Sequence, residues 1–167
     1  MLDPRELYEL STEQPEDGEL DAPVMIFCLT GFIDAGQAGR LAADHLLEVL
    51  DHRLLASFDL DQIFDYRARR PTLTFDGDHW ASYQAPTLQL YLARDLGGTP
   101  FLLLAGPEPD VQWERFVRAV IELVARYGVR LSIGVHAIPM GVPHTRPVGV
   151  TAHSTRPELV ADYRQWV

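Results

Sequence analysis

Residues 101–138 constrain the fold more than any other part of the chain. An apolar run at 101–105 turns through GPEP into a helical pattern starting near Asp110, and Gly128 closes that pattern directly before an alternating run at 129–138. Strand, helix and strand with so short a return make a βαβ unit, because two parallel strands need a crossover of a dozen or more residues between them. The helix carries Trp113, Phe116, Val117, Val120, Leu123 and Val124 as its apolar stripe. Asp110 is placed to cap its start, and Gly128 suits the left-handed position just past its end.

An earlier segment repeats the plan. The run at 24–29 ends in Thr30-Gly31 and leads into a helical pattern with Ala38, Leu41, Ala42, His45, Leu46 and Val49 on one face. Segments 73–75 and 79–83 flank Asp76-Gly77, a dipeptide that supplies the positive φ angles of a two-residue hairpin turn. Further strands are expected at 53–59, 88–94 and 148–151, and a helix at 157–166. Together these predict one α/β domain over 22–167, a three-layer α/β/α sandwich with a mixed, largely parallel sheet, preceded by an acidic arm at 1–21.

Composition narrows the chemistry. With 167 residues, 47% hydrophobic and 23% charged, the chain can bury a real core. The formal net charge is -10, and eight acids against Arg5 in residues 1–21 hold most of it, so the arm reads as a solvated lead-in to the first strand, the alternative being a short helix through Leu7, Tyr8 and Leu10. That balance argues against nucleic acid and anionic membranes as partners. All 14 basic residues are Arg and there is no Lys, which excludes a P-loop and every Schiff-base mechanism. Cys28 alone cannot form an intrachain disulfide, and its neighbours VMIFCL make it a buried strand residue. His136, His144 and His153 lie eight and nine residues apart, which fits no local metal motif, so neither metal nor cofactor is expected. No apolar run approaches the ~18 residues of a membrane span, and a cytoplasmic protein is the expectation.

In open α/β sheets ligands bind beyond the carboxyl ends of the parallel strands. Three loops should meet there, TGFIDAGQAG (30–39), GPEPD (106–110) and HAIPMGVPHTRP (136–147), bringing Gly31, Asp34, Glu108, Asp110, His136, His144 and Arg146 to one edge. If the 53–59 strand runs the same way, Asp65, Arg67, Arg69 and Arg70 join them. The glycine loop could turn N–H groups toward an anion, or Gly36 and Gly39 could simply let the helix pack closely, with Asp34 as its cap. Arg67 and Arg69, on one side of an extended backbone, could grip a carboxylate or phosphate, neutralise Asp59, Asp61 and Asp65, or anchor a protein interface. His136 and Glu108 are the acid–base candidates; the alternative is a hydrogen-bonded structural histidine.

The strings TGFIDAGQAG, FDYRARRP, GPEPDVQWERF and VPHTRP, in this order and spacing, resemble the proteasome assembly chaperone 2 family, in particular its actinobacterial members. The resemblance runs from about residue 24 to the end. It implies an α/β/α fold similar to the phosphorylase/hydrolase-like architecture, self-association into a homo-oligomer, proteasome-like subunits as partners, and no established catalytic residues. The leading expectation is therefore a non-enzymatic interaction module. The alternative is an enzyme acting on a small anionic or nucleoside-like substrate, with Glu108 and His136 as its acid–base pair. Two departures from the family pattern stand out: Trp166 occupies the place of the Tyr in the family's C-terminal docking motif, and family members are longer, so a C-terminal truncation is expected.

Overall fold

The structure, a computed structural model, describes residues 2–147 and 149–166, and for 162–166 the backbone only. A six-stranded mixed sheet takes the order β1-β3-β6-β7-β2-β8, with β1 Tyr8–Leu10, β2 Val24–Thr30, β3 His52–Phe58, β6 Gln89–Arg94, β7 Pro100–Pro107 and β8 Leu131–Gly134. The hairpin β4 (Leu73–Asp76) and β5 (His79–Tyr83) forms a separate two-stranded sheet. Helix α1 covers Ala38–Val49 and α2 covers Trp113–Arg126.

β2 pairs in parallel with β7 on one side and β8 on the other. The βαβ unit is thus present, with β2 inserted between its two strands. β6 is antiparallel to both β7 and β3, which makes β3 point the same way as β7. Four of the six strands, β2, β3, β7 and β8, therefore end at one edge, although parallel hydrogen bonding is confined to β7-β2-β8.

The crossover from β2 to β3 moves one way across the sheet and that from β7 to β8 moves the other. Right-handed crossovers in opposite directions require helices on opposite faces, and the core divides accordingly. Phe116, Ala119 and Leu123 of α2 pack with Met25, Leu90, Leu92, Leu102 and Leu104. Ala43, Leu46 and Leu47 of α1 pack with Ile26, Cys28, Leu103 and Ala105 on the other face. Neighbours along β2 and β7 alternate between the two clusters, the period of two that a strand buried on both faces requires. Cys28 is buried as expected, and burial pushes its thiol pKa up.

Several elements depart from the expectation. α1 buries Gly39 and Ala43 and leaves Leu41 and Val49 exposed, so its inner face is turned from the stripe read in the sequence. α2 exposes Trp113 and Val117 of its expected stripe and buries Arg115, while Phe116, Val120, Leu123 and Val124 face the core as read. β8 stops at Gly134 instead of Ile138, and 149–151 is irregular, with Val148 outside the described residues. The hairpin turn is Gly77-Asp78, where only Gly77 has a positive φ, +61°, the pattern of a II′ turn with glycine first. The helix at Pro157–Trp166 is a 3-10 helix; Leu159 is partly exposed on it, while the Tyr163 and Trp166 side chains lie outside the described residues.

The acidic arm is no solvated lead-in. Leu7 is 0% exposed, at the end of a 3-10 helix (Pro4–Leu7) capped by Asp3, and Tyr8–Leu10 adds an antiparallel strand to β3. Arg115 reaches back from α2, donating through Nε to the Asp3 carbonyl at 2.9 Å and through Nη1 to Gln62 Oε1 at 2.7 Å. Glu19 accepts from Arg94 Nη2 at 2.6 Å and from Arg53, bridging neighbouring strands β3 and β6.

The Arg53 guanidinium, foremost, holds the Glu19 carboxyl well below its ordinary value near 4.5, at about 2. A depressed folded-state pKa stabilises the fold above the unfolded value and is lost as pH falls from about 4.5 toward 2. After allowance for solvent screening the effect is on the order of 1–2 kcal/mol. Urea midpoints measured from pH 6 to pH 2.5 should fall more steeply for the native chain than for Glu19→Gln, whose curve lacks this component.

Candidate functional site at the strand ends

β7 and β2 are neighbours whose following connections leave in opposite directions, and such a switch point opens a crevice beyond the strand ends. Here the chain closes much of it. The N–H of Glu108 donates to the Thr30 carbonyl at 2.9 Å, and Glu108 Oε1 accepts from the Phe32 N–H at 2.8 Å. Its carboxyl lies against Gly31 so closely that a β-carbon there would sit 1.8 Å from Cδ. A side chain at 31 would have to push the Glu108 carboxyl aside.

Because β3 runs with β7, the loop after it does join the edge. Residues 66–68 form a turn, with the Ala68 and Arg69 N–H groups donating to the Asp65 carbonyl, so Arg67 and Arg69 do not share one side of an extended backbone. Arg69 folds inward. Its Nη2 donates to Asp110 Oδ2 at 2.7 Å and to the Glu108 carbonyl at 2.5 Å, Nη1 donates to the Thr30 carbonyl at 3.4 Å, and the guanidinium lies over the Phe64 ring at 4.4 Å. One side chain therefore ties together the ends of β2 and β7 and the loop after β3. Arg67 and Arg70 remain exposed.

Asp110 does not cap α2. Its Oδ2 accepts from the Asp65 N–H at 2.6 Å as well as from Arg69, while Gln112, at φ +58°, precedes the helix without a side-chain cap bond. Burial pushes the Asp110 carboxyl up, but the Asp65 N–H and the Arg69 guanidinium outweigh it and hold the group below its ordinary range. Asp65 in turn accepts from the Arg67 N–H at 2.8 Å. Asp34 Oδ1 accepts from the Gly39 N–H at 2.8 Å and Oδ2 from the Arg40 N–H at 3.2 Å, so it caps the first turn of α1. The N–H groups that could have cradled an external anion thus face the chain's own carboxylates, Asp34 at the helix start and Glu108 at Phe32.

An open cleft of about 310 Å³ remains beside this network, lined by Phe27, Leu29, Phe32, Ile33, Glu108, Val135 and His136. Glu108 and His136 do line one cleft, but no hydrogen bond joins them among the described residues, and the wall is mainly apolar. His144 and Arg146 sit exposed on the turn near 143–146, outside the cleft lining, and His153 is exposed as well. Sequence reasoning missed Phe32, 93% exposed, and Ile33. The available signal was a Phe-Ile pair inside a glycine loop, where polar residues are the norm.

Substitutions at Arg69 and Gly31, with controls at their neighbours, test the network. Arg69→Lys keeps a charge near Asp110 but loses the planar fork that reaches two carbonyls and stacks on Phe64, and should lower stability by about 1–3 kcal/mol in urea unfolding. Arg67→Ala and Arg70→Ala should each stay within about 0.5 kcal/mol. Gly31→Ala should cost about 1–2 kcal/mol by displacing the Glu108 carboxylate from Phe32. In the background of Glu108→Ala the same change should cost far less, a coupling that a double-mutant cycle reads directly.

Comparison with known proteins places this arrangement. A family model described as PAC2 family matches residues 28–167. A Mycobacterium tuberculosis protein of unknown function, Rv2714, is 51% identical with a TM-score of 0.90, over 95% of this chain and 56% of that one. A Corynebacterium glutamicum protein of unknown function is 44% identical with a TM-score of 0.83, over 88% of this chain and 56% of its own. The Mycobacterium tuberculosis proteasome-assembly chaperone homologue Rv2125 is 25% identical with a TM-score of 0.69, over 86% of this chain and 60% of its own. Among curated proteins no match was found. The chain thus spans little more than half the length of the solved proteins it resembles. With 140 residues matched by the family model and half of its positions shared with a solved relative, the chain belongs to the PAC2 family.

Proposed function

We propose that this chain belongs to a non-enzymatic protein-interaction module with a chaperone-like role, acting in the cytoplasm as a homo-oligomer on proteasome-related subunits. The observation that carries the reading is the state of the strand-end edge. Asp34, Asp65, Glu108, Asp110 and Arg69 are all engaged in bonds that hold loops, and beside the exposed Arg67 and Arg70 the edge offers outward the apolar pair Phe32 and Ile33. Exposed apolar groups on a rigid, hydrogen-bonded loop suit the docking of another protein. The direction of the partner assignment comes from the family and from the relative described as a proteasome-assembly chaperone homologue. Among the described residues no helix is long and apolar enough to cross a membrane, which accords with the proposed location.

The test uses the immobilised chain as bait in a native lysate from an organism with a proteasome, with bound proteins identified by mass spectrometry. Proteasome-ring subunits should be enriched at least tenfold over a blank resin, and Phe32→Asp should remove most of that enrichment while leaving the unfolding midpoint unchanged. Recovery of no ring subunit would overturn the partner assignment. Equal recovery with Phe32→Asp would overturn the role of this edge.

A further inference from the structure

The cleft beside the Arg69 network holds a charge without a counter-ion. Glu108 is half-buried in its wall, and the hydrogen bond from the Phe32 N–H fixes the carboxylate without neutralising it. Arg69, the cation of the neighbouring network, reaches the Glu108 carbonyl and pairs with the Asp110 carboxylate instead. Among the described residues Glu108 forms no ion pair, and no arginine lines the cleft. Apart from His136 the remaining wall is apolar, and two of its members, Phe27 and Phe32, are aromatic. A carboxylate lodged among rings and aliphatic groups is poorly solvated, so an incoming cation gains more there than at an open surface.

Two glycines seat these groups. A β-carbon at Gly31 would lie 1.8 Å from Glu108 Cδ, and one at Gly134 would lie 2.6 Å from Phe27 Cζ, so carboxylate and ring each rest in the space a glycine leaves. The chain also shows what such a pair can hold. Next to the cleft, the Arg69 guanidinium lies 4.4 Å over the Phe64 ring while its Nη2 donates to Asp110 at 2.7 Å. The cleft presents the same two kinds of partner, an aromatic ring and a carboxylate. We infer that the Phe27–Phe32–Glu108 cleft is a docking site for one arginine side chain of a partner protein.

Charge, shape and size select this occupant. The net charge of -10 draws cations toward the chain, and Glu108 gives the cleft its own negative charge. A guanidinium is planar and weakly hydrated, so it can lie on a ring and give N–H groups to a carboxylate at once, which suits it better than a compact, strongly hydrated ammonium. His136 offers a ring nitrogen as a further hydrogen-bonding group. The cleft volume of about 310 Å³ takes one long side chain and lies at the lower limit of the roughly 300–1,000 Å³ of small-molecule sites. Phe32, 93% exposed, and Ile33 extend the wall outward, where apolar residues on either side of the arginine find contact.

The inference rests on the docking role proposed for this edge and names the side chain that the edge reads. N-acetyl-arginine amide, its neutral isostere N-acetyl-citrulline amide and the tripeptide acetyl-Leu-Arg-Leu amide are titrated into the isotope-labelled chain, with the NMR amide shifts of Phe32, Val135 and His136 as readout. The arginine amide should bind saturably with a dissociation constant on the order of 1 mM, the citrulline amide about tenfold more weakly or worse, and the tripeptide about tenfold more tightly or better. Glu108→Gln keeps an acceptor for the Phe32 N–H and should weaken the arginine amide about tenfold, with the amide spectrum away from the cleft unchanged. Shifts that are absent at about 50 mM, or that are equal for citrulline or in Glu108→Gln, overturn the site. A tripeptide no tighter than the arginine amide overturns the partner protein as the source and assigns the cleft to a small guanidinium compound. Ring subunits captured from lysate and lost with Phe32→Asp but not with Glu108→Gln would uphold the docking edge and overturn the arginine. Binding of the arginine amide without capture of any ring subunit would uphold the site and overturn the proteasome-related partner.

Discussion

The guanidinium of Arg69 is where separate parts of the chain become one edge. It satisfies the Asp110 carboxylate and the Glu108 and Thr30 carbonyls at once, and it lies over Phe64. Strand ends are where a sheet runs out of ladder partners, so the carbonyls of the following loops need donors from elsewhere. A planar fork can serve two or three acceptors in different directions without reorganising, which an ammonium cannot. With those carbonyls held, Glu108 is fixed beside Gly31, and the Phe32 N–H has its acceptor. The shape of the exposed loop tip thus follows from an ion pair between residues 41 apart in sequence, neither of them in the loop.

The acidic segment at the other end of the chain works by the same logic. Eight acids in a short stretch would ordinarily keep it solvated, yet this segment surrenders Leu7 to the core and Glu19 to two arginines. Burying one large aliphatic side chain is worth roughly 2 kcal/mol, and a buried-side ion triad adds direction to it. Arg115 supplies the complementary hold from α2, with its Nε and Nη1 donors satisfied by the Asp3 carbonyl, Gln62 and Gln112. Charge density alone therefore predicts the wrong state for this segment, because the decisive residue in it is apolar.

Local pattern made the α/β/α sandwich legible, and tertiary pairing decided the rest. The βαβ unit, Cys28 in a strand and the Asp34 cap all follow from interactions within a few residues or from a period of two. The insertion of β2 between β7 and β8 does not, since hydrogen bonding between distant strands leaves no local mark. Helix faces were misread in part, for a related reason. Leu41, Val49, Trp113 and Val117 are apolar and helical in spacing, but a face is inner only relative to the sheet it meets, and Gly39, Ala43 and Ala119 make the close approach. Asp110 had the position of a helix cap and took the stronger partner, a guanidinium reached through a loop. Arg67 and Arg69 separated because the turn at 66–68 rotates one inward, a consequence of Asp65 accepting from the Arg67, Ala68 and Arg69 N–H groups.

What the edge has to offer follows from how completely its polar groups are satisfied. A reaction centre keeps donors and acceptors aimed at charge that will develop on a substrate, so part of their bonding capacity is unused until the transition state forms. At this edge Asp34, Glu108, Asp110 and Arg69 spend theirs on backbone and on one another. Among the described residues no buried side-chain nitrogen or oxygen lacks a partner. Rearranging any of these groups for a substrate would expose an unpaired carbonyl or carboxylate, at about 1–3 kcal/mol each. A network of that kind resists change and presents a fixed surface, and the apolar groups it presents, Phe32 and Ile33, are ones that gain by leaving water. Rigid polar scaffolding beneath exposed apolar contacts is the physical design expected of the docking surface proposed above.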